Sequence, residues 1–128
     1  MSETFDAYVI TRDEETKQQS GGWTQVSTDD LPEGDVTIRV RHTTMNYKDA
    51  LAITGKSPVV RRFPMVPGID IAGEVVASDS PDYAVGDEVI MNGWGVGEVH
   101  WGGYAQVARM KSDWLLKKPE GLSGADCM

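Results

Sequence analysis

The glycine-rich segment at residues 92–103 places the tightest constraint on how this chain folds. It contains five glycines, two tryptophans and one histidine, and glycine lowers backbone order and packing in helices and strands alike. The composition therefore predicts a shaped loop. Two interpretations are open: a tight hairpin whose tryptophans close the end of a β-barrel, or a functional loop in which bare backbone and flat indoles meet a ligand.

The surrounding sequence predicts a single, mainly β domain. A chain of 128 residues is long enough for one hydrophobic core and too short for two. Its fourteen glycines and six prolines favour a turn-rich sheet architecture over a helical bundle. Val36, Ile38 and Val40 alternate with polar residues, which predicts a strand with one buried face. Further strands are predicted at residues 5–11, 23–26, 68–76, 85–91, 104–110 and 114–116.

One short helix is predicted between the strands. Asn46 is a suitable N-cap, alanine and leucine follow it, and Gly55 stands where the end of a helix favours glycine. Residues 56–67 contain three prolines and therefore predict an ordered loop. Ser123 and Asp126 have the spacing of a helix start close to the end of the chain.

The charge of the chain limits its partners. A net charge of −8 argues against general binding of nucleic acid or anionic membranes. There is no apolar run long enough to cross a bilayer and no signal-peptide pattern, and the single Cys127 agrees with a reducing compartment. Arg61 and Arg62 are either a solvated surface pair or a cradle for a phosphate-bearing ligand. We expect a cytoplasmic protein.

Searches for chemistry by residue spacing give mainly negative results. A dinucleotide fingerprint needs glycine where Glu98 or His100 stands, and neither a Walker loop nor a Gly-x-Ser-x-Gly elbow is present. The candidate metal ligands lack any paired spacing, so no zinc site is expected. These candidates are His42, Glu98, His100 and Cys127.

Several runs of residues carry a resemblance to a known family. Residues 46–51, 67–75, 85–89 and 103–105 occur in the order seen in the medium-chain dehydrogenase/reductase superfamily. They resemble its N-terminal, GroES-like catalytic domain. Residues 92–103, together with 61–64, are similar to the zinc-independent quinone oxidoreductase-like branch of acryloyl-coenzyme A reductase type.

The resemblance implies a fold and a domain organisation. It implies a mainly β, GroES-like, partly open β-barrel with a few short helices over residues 1–118. Residues 119–128 would begin the connection to a Rossmann cofactor domain that this chain lacks. The chain alone is then expected to be inactive, since most of the cofactor's binding energy would lie in the missing half. A full-length relative is expected to be a homodimer.

The resemblance also implies a reaction. Zinc-dependent members place a cysteine near the position of Asn46 and Gly-His-Glu at residues 68–70, and this chain has neither. The implied reaction is therefore hydride transfer from NADPH to an activated C=C bond, in an enoyl thioester or a quinone, without zinc. The alternative is a free-standing GroES-like binding or interaction module with no turnover.

The site residues implied by the resemblance form two groups. The catalytic group, at the cleft between the two halves, consists of Asn46, Tyr47 and Asp49. Asn46 and Tyr47 would also lie close to the cofactor. Tyr47 is expected to be a hydrogen-bond donor or proton carrier, or only to line the cleft. The substrate-binding group consists of Arg61, Arg62, Trp94, Gly95 and His100. The arginines would contact a coenzyme A phosphate, and His100 is either an acid or a structural partner of tryptophan.

Overall fold

Seven strands and one α-helix make up the regular structure of residues 3–128, the part of the chain that the computed structural model describes. The strands are β1 Thr4–Arg12, β2 Gln19–Ser27, β3 Val36–Thr43, β4 Asp70–Ser78, β5 Glu88–Asn92, β6 Val107–Met110 and β7 Leu115–Lys117. The helix α1 spans Tyr47–Thr54, and short 3₁₀ turns occupy Thr28–Asp30, Ser112–Trp114 and Ala125–Cys127. The predicted mainly β class is confirmed.

The strands form two antiparallel sheets. One is the β1–β2 hairpin, and the other has the order β6-β3-β4-β5-β7. Ile38 of β3 pairs with Val75 of β4 on one side and with Ala108 of β6 on the other. The register between β3 and β4 shifts between Val40 and His42, and such irregularities bend a sheet toward closure.

Backbone contacts join the two sheets into a partly open barrel. Ile10 and Met65 exchange two hydrogen bonds of 2.7 and 2.9 Å, and the Tyr8 amide donates to the Tyr104 carbonyl at 2.8 Å. Ala7 forms a further bridge to Ala105. The hairpin therefore covers the edge of the barrel beside the residues that follow the glycine-rich segment.

The core follows the alternation predicted for β3. Val36 and Ile38 are fully buried, and Val40 packs against the same cluster. Ile71 and Val75 of β4 are also fully buried. At about 25 cal/mol for each Å² of apolar surface, this burial is the main source of stability for the larger sheet.

The helix begins and ends where the sequence predicts. Asn46 has the extended backbone of an N-cap, and its amide N–H donates to the Asp49 carboxylate at 2.9 Å. Gly55 ends the helix in the left-handed conformation, with its amide bonded to the Leu51 carbonyl at 3.0 Å. The helix start is therefore fixed by a buried carboxylate.

One of the two interpretations of the glycine-rich segment, and one strand boundary in the second half of the chain, are wrong. The glycine-rich segment is not a hairpin, because β5 lies between β4 and β7 while β6 pairs with β3. Trp114 lies in a 3₁₀ turn before β7 rather than in a strand, and its ring packs on His100. The loop interpretation of residues 92–103 fits the topology.

The last residues form a short turn. Ser123 and Asp126 exchange hydrogen bonds of 3.0 Å between backbone amides and side chains, as their spacing predicts. The turn that they begin extends over Ala125–Cys127. Across residues 3–128, the helices fall short of the length and apolar character needed to span a membrane.

Candidate functional site

The Asp70 carboxylate is the centre of a polar cluster at the start of α1. It accepts hydrogen bonds from the Thr44 hydroxyl at 2.8 Å, the Asn46 amide at 3.0 Å and the Asn92 amide at 3.0 Å. These donors come from the residue after β3, the cap of α1 and the end of β5. One carboxylate thus fixes three elements relative to one another.

Hydrogen bonding keeps this carboxylate ionised. Burial raises the pKa of Asp70, but the bonds from Asn92, Thr44 and Asn46 together outweigh it and leave the pKa below its ordinary value. An ionised carboxylate only accepts hydrogen bonds. It therefore determines which end of each neighbouring amide faces it.

The orientation of Asn46 follows from these contacts. Its side-chain nitrogen donates to the Thr44 hydroxyl at 2.8 Å as well as to Asp70. Because an amide nitrogen carries two hydrogens, both are already used inside the protein. Asn46 is exposed, so it presents a hydrogen-bond acceptor, its side-chain oxygen, to any ligand.

Asp49 and Tyr104 lie beneath this surface. Asp49 is almost fully buried, and Tyr104 donates through its hydroxyl to the Thr44 carbonyl at 2.8 Å. Burial, and then the neighbouring charge of Asp49, raises the pKa of Tyr104 to about 12. Tyr104 therefore stays protonated at neutral pH and supports the chain just before Asn46.

Tyr47 differs from its neighbours because it faces solvent. Its side chain is 80% exposed, and its hydroxyl makes no hydrogen bond to any residue in the range 3–128. A groove of 510 Å³ is lined by Thr44, Met45, Tyr104 and the exposed Trp23, among others, but by neither Asn46 nor Tyr47. The surface at the start of α1 thus combines an acceptor and a free hydroxyl.

Close backbone packing fixes the end of the glycine-rich segment. The Gly102 amide donates to the Val66 carbonyl at 2.7 Å, and the Gly103 amide donates to the Gly68 carbonyl at 2.9 Å. A Cβ at position 102 would lie 2.1 Å from the Gly68 carbonyl oxygen. Only glycine allows the two backbones to approach so closely.

The middle of the segment is tied to the helix and to the arginine pair. Glu98 forms an ion pair with Lys48 of α1. Its carbonyl accepts a hydrogen bond of 2.9 Å from the Arg61 amide. The guanidinium groups of Arg61 and Arg62 belong to exposed residues, so the structure places both cations at the surface next to this loop.

Trp94 lies at the turn of the segment in an unusual conformation. Gly93, Trp94 and Gly95 have φ angles of 82°, 58° and 74°, in the left-handed region that side chains with a Cβ rarely adopt. The Trp94 ring stacks on Trp114, with 6.2 Å between ring centroids and 19° between planes. Much of this indole remains in solvent, since Trp94 is 59% exposed.

His100 is buried behind these rings. Its Nε2–H donates to the Arg109 carbonyl at 2.6 Å, and its ring meets Trp114 edge-on at 4.9 Å. Burial lowers the pKa of His100, and the charges of Lys111 and Arg62 add to this effect against the opposing Arg109 bond. The neutral imidazole therefore links the segment to β6, and its contact with substrate remains a prediction.

The structure divides the predicted site residues into two places. Asn46, Tyr47 and Asp49 share the start of α1, with Asp49 beneath the surface as a helix cap. Trp94, Gly95 and His100 lie together on the loop. Sequence reasoning missed the residues that connect and support these two places. Three of them, Thr44, Asp70 and Tyr104, lie within or just before the runs 46–51, 67–75 and 103–105 that carry the family resemblance. The missed residues are Thr44, Asp70, Tyr104, Lys111 and Trp114.

Metal binding has little support in the geometry. Within residues 3–128 there is no group of three His, Cys, Asp or Glu side chains arranged to hold a metal ion. The side chain at the start of α1 is the Asn46 amide, whose nitrogen points inward to Asp70. The site as described is built from hydrogen-bond donors and acceptors.

The five-stranded sheet, the hairpin packed on its edge and the short capped helix after β3 define a GroES-like β domain. The family model of the alcohol dehydrogenase GroES-like domain matches residues 32–120. The chain belongs to this family, which confirms the predicted resemblance to the N-terminal part of medium-chain dehydrogenase/reductases.

Curated relatives carry more specific names. The chain is 57% identical over 98 residues to the probable acrylyl-CoA reductase AcuI of Escherichia coli, covering 77% of this chain and 30% of that protein. It is 47% identical over 124 residues to the acrylyl-CoA reductase AcuI of Ruegeria pomeroyi, covering 97% of this chain and 38% of that protein. The chain thus spans about a third of the length of these relatives.

Solved structures show the same fold. The yhdH oxidoreductase of Salmonella enterica in complex with NADP is 47% identical, with a TM-score of 0.91 over 96% of this chain and 37% of that one. The Bacillus subtilis protein yhfP with NAD bound is 37% identical, with a TM-score of 0.91 over 98% of this chain and 38% of that one. The first of these structures is thus an oxidoreductase with NADP bound, and the second is a protein with NAD bound.

Proposed function

We propose that this chain is the substrate-side part of an NADPH-dependent reductase that reduces an activated C=C bond without zinc. The substrate would be an acryloyl-coenzyme A-like enoyl thioester or a quinone. The names of the relatives and their bound NADP or NAD support this reaction class. The coverage of about a third of each relative supports an incomplete site.

The observation that carries the proposal is the arrangement around Asn46. Its side-chain nitrogen is committed to Thr44 and Asp70, so its oxygen is the atom that can accept from a ligand, and the exposed hydroxyl of the following residue, Tyr47, can donate. A nicotinamide carboxamide donates through its NH₂ group, so the oxygens of Asn46 and Tyr47 can both accept from it, which leaves the single Tyr47 hydrogen for the substrate. NADPH, when bound, supplies the hydride.

The residues of this chain would then act on the substrate. Tyr47 would donate a hydrogen bond to the carbonyl oxygen of the thioester or quinone, where negative charge develops during reduction. Asp49 would act beneath it by fixing the backbone of the helix start. Arg61 and Arg62 would hold a phosphate of coenzyme A, and Trp94, Gly95 and His100 would bound the substrate side.

The donor set supports a reaction without zinc. Where the zinc-dependent members have a cysteine and a histidine, this chain has Asn46 and Ile69. An amide committed to a carboxylate and an aliphatic side chain are poor ligands for zinc, which prefers thiolate and imidazole. We propose that hydrogen-bond donors take over the role of the metal in stabilising the developing charge.

The whole protein would work in the cytoplasm as a homodimer with small molecules as its partners. This chain alone would lack turnover, because productive hydride transfer needs the nicotinamide held against the substrate. The same chain acting as a binding module would differ by holding NADPH and substrate tightly without any redox reaction.

An NADPH titration of the purified chain tests these statements. Tryptophan fluorescence is followed first with NADPH and then with acryloyl-coenzyme A, while absorbance at the nicotinamide band reports oxidation. We expect acryloyl-coenzyme A to quench saturably, NADPH to quench weakly and no oxidation to occur. Oxidation of NADPH by the purified chain would overturn the proposal that its site is incomplete. If neither acryloyl-coenzyme A nor a quinone bound, the substrate-side assignment would be overturned.

A further inference from the structure

The outer edge of β2 is the longest unpaired strand edge in the described part of the chain. The β1–β2 hairpin is a sheet of its own, in which β2 pairs only with β1 over the nine residues Gln19–Ser27. The outer strands of the other sheet are shorter, with four residues in β6 and three in β7. Residues 20–25 of β2 are all exposed.

The hydrogen bonds of β1 determine which backbone groups of β2 face outward. Asp6, Tyr8 and Ile10 of β1 form backbone hydrogen bonds on the side of the barrel. Alternate residues of an antiparallel strand bond to opposite sides, so the residues between these three bond to β2, where their partners are Gly22 and Thr24. The outward-facing residues in the middle of β2 are therefore Gly21, Trp23 and Gln25. Within residues 3–128, the backbone groups of these residues form no hydrogen bond.

The sequence of β2 leaves this edge unprotected. Edge strands are commonly kept from pairing by lysine, by proline or by a bulge. The segment Gln19–Ser27 contains neither a charged residue nor a proline, although 25% of the whole chain is charged. Its pairing with β1 runs from end to end without a shift in register. The edge is thus a regular, uncharged template for a further strand.

The outward groups are symmetric about Trp23. This residue is the central one of β2, with Gly21 and Gln25 two residues away on either side. A second β2 related by a twofold rotation places Trp23 opposite Trp23 and Gly21 opposite Gln25, and each such pair exchanges two backbone hydrogen bonds. One edge therefore satisfies the outward groups of the other, as an interface between identical chains requires.

Aromatic rings lie along the same edge. Trp23 is 69% exposed, and its ring meets that of Tyr8 edge-on, with 5.6 Å between centroids. The Tyr8 ring lies over Gly21, where a Cβ would come within 2.8 Å of it. Pairing of two edges brings both Trp23 side chains to the twofold axis, and tryptophans at the centre of an interface contribute most to affinity.

The charges at the two ends of the edge fit the same register. Lys17 lies two residues before β2, and Asp29 lies two residues after it. Continued beyond the strands, the register directs Lys17 of each copy toward Asp29 of the other. The Lys17 side chain is 62% exposed and pairs with Glu14 at 3.0 Å, whereas the exposed Asp29 has no ion pair within residues 3–128. Charge thus favours this antiparallel register.

We propose that this chain forms a reversible homodimer through the edge of β2, so that two hairpins join into one continuous antiparallel sheet. Nine residues at about 3.4 Å each give an edge about 30 Å long. A contact one strand wide along this length buries less than the roughly 1,200 Å² of stable complexes, so the dimer dissociates on dilution. The interface goes beyond the proposed reduction, because it uses neither a cofactor nor the residues at the start of α1.

Sedimentation velocity of the purified chain over a dilution series tests the proposal. We expect a monomer–dimer equilibrium with a dissociation constant on the order of 100 µM at about 0.15 M NaCl. Gln25→Pro should weaken dimerisation at least about tenfold, because it removes an outward N–H and leaves the hydrogen bonds to β1 in place. Gln25→Ala is the matched control: it removes the same side chain, keeps the N–H and should dimerise like the unaltered chain.

A charge exchange tests the register. Lys17→Asp should weaken dimerisation several-fold, because it places like charges together at both ends of the interface, and the addition of Asp29→Lys should restore the affinity. Lys117→Asp makes the same change of charge on β7, in the other sheet, and should leave the affinity unchanged. Trp23→Ala should weaken dimerisation several-fold without any change to the backbone donors.

Amide hydrogen exchange, followed by NMR, locates the contact on β2. The amides of Trp23 and Gln25 should exchange more slowly as the concentration rises, whereas those of Gly22 and Thr24 are already bonded to β1 and should change little. Circular dichroism verifies that each variant is folded.

Two results would overturn the proposal. One is a chain that stays monomeric up to about 1 mM, a concentration about ten times the expected dissociation constant. The other is a dimer that folded Gln25→Pro and Trp23→Ala chains form as readily as the unaltered one, because another surface would then be responsible. Neither result bears on the proposed reduction, which is tested with NADPH and acryloyl-coenzyme A.

Discussion

The side-chain amide of Asn46 lies 3.0 Å from the carboxylate of Asp70, and this contact joins the cap of α1 to the first residue of β4. The same carboxylate receives Thr44 and Asn92. Because all three donors converge on one anion, its removal should loosen the helix start and both strand ends together. The surface that Asn46 presents to a ligand depends on this anion.

Asp70→Asn should lower the free energy of unfolding by about 1 kcal/mol at pH 7. Hydrogen bonds to a charged group each contribute about 1.5–3 kcal/mol to the free energy of unfolding. Because the cluster is partly exposed to solvent, we expect the loss at this site to lie below that range. Urea denaturation of both chains measures the difference. Asp6→Asn is a suitable control, because no hydrogen bond or ion pair involves the Asp6 carboxylate within the described residues.

The effect of Asp70→Asn should also depend on pH. The folded-state pKa of Asp70 lies below its value of about 3.9 in an unfolded chain. Its stabilising contribution is therefore complete above about pH 4 and is lost as the pH falls through the folded-state pKa. Denaturation curves should converge for the two proteins at low pH; a constant difference down to pH 2 would contradict this account.

His100→Gln should reduce the loss of stability on acidification. The folded-state pKa of His100 lies below its value of about 6.5 in an unfolded chain, chiefly because the ring is buried. The unfolded chain therefore binds a proton first, and stability falls as the pH drops from about 7 through the folded-state pKa. Glutamine keeps a donor for the Arg109 carbonyl and does not titrate.

Thermal melts at pH 7.5 and pH 5 measure this effect. His42, the other histidine of the chain, is exposed and remains in both proteins, so the difference between their profiles belongs to His100. Parallel profiles for the two proteins would show that the buried imidazole is already protonated or that its burial has no influence.

Gly102→Ala should destabilise the fold by about 2 kcal/mol or more. The new methyl group would lie 2.1 Å from the Gly68 carbonyl oxygen and 2.7 Å from that of Pro67, and backbone atoms cannot yield as a flexible side chain can. Gly22→Ala is the matched control, because nothing lies within 4 Å of its Cβ. That control should stay within about 0.5 kcal/mol in the same denaturation experiment.

Tyr47→Phe and Asp49→Ala should separate a surface role from a structural one. The exposed Tyr47 hydroxyl has no partner in residues 3–128, so its loss should change stability by less than about 0.5 kcal/mol. Asp49→Ala should cost about 1–2 kcal/mol, because it leaves the Asn46 amide without its acceptor. A destabilised Tyr47→Phe chain would show that this hydroxyl has a structural contact.

Local sequence signals predicted much of the fold. The alternation from Val36 to Val40 and the positions of Asn46 and Gly55 depend on neighbouring residues, so β3 and α1 agree with the prediction. The position of the loop between β5 and β6 depends instead on which strands pair. Composition favoured a hairpin as readily as a loop, and only the strand order excludes the hairpin.

The candidate site was predictable only in part. Asn46, Tyr47 and Asp49 are near in sequence and remain near in space. Asp70 joins them because β4 pairs with β3 on one side and with β5 on the other, where Asp70 lies opposite Asn92. No local pattern announces that a carboxylate will receive three donors. Trp114 was missed for a similar reason, since its packing on Trp94 depends on a 3₁₀ turn far along the chain.

The closure of the barrel by distant segments has a consequence for synthesis. Ala7 bridges to Ala105 and Val36 pairs with Met110, so these contacts form only after residues 105–110 have left the ribosome. Hairpins such as β1–β2 form early, while β3 waits with an open edge that favours association with other nascent chains. We expect the barrel to stay open until these residues have been made, and fast production to raise the demand for chaperones.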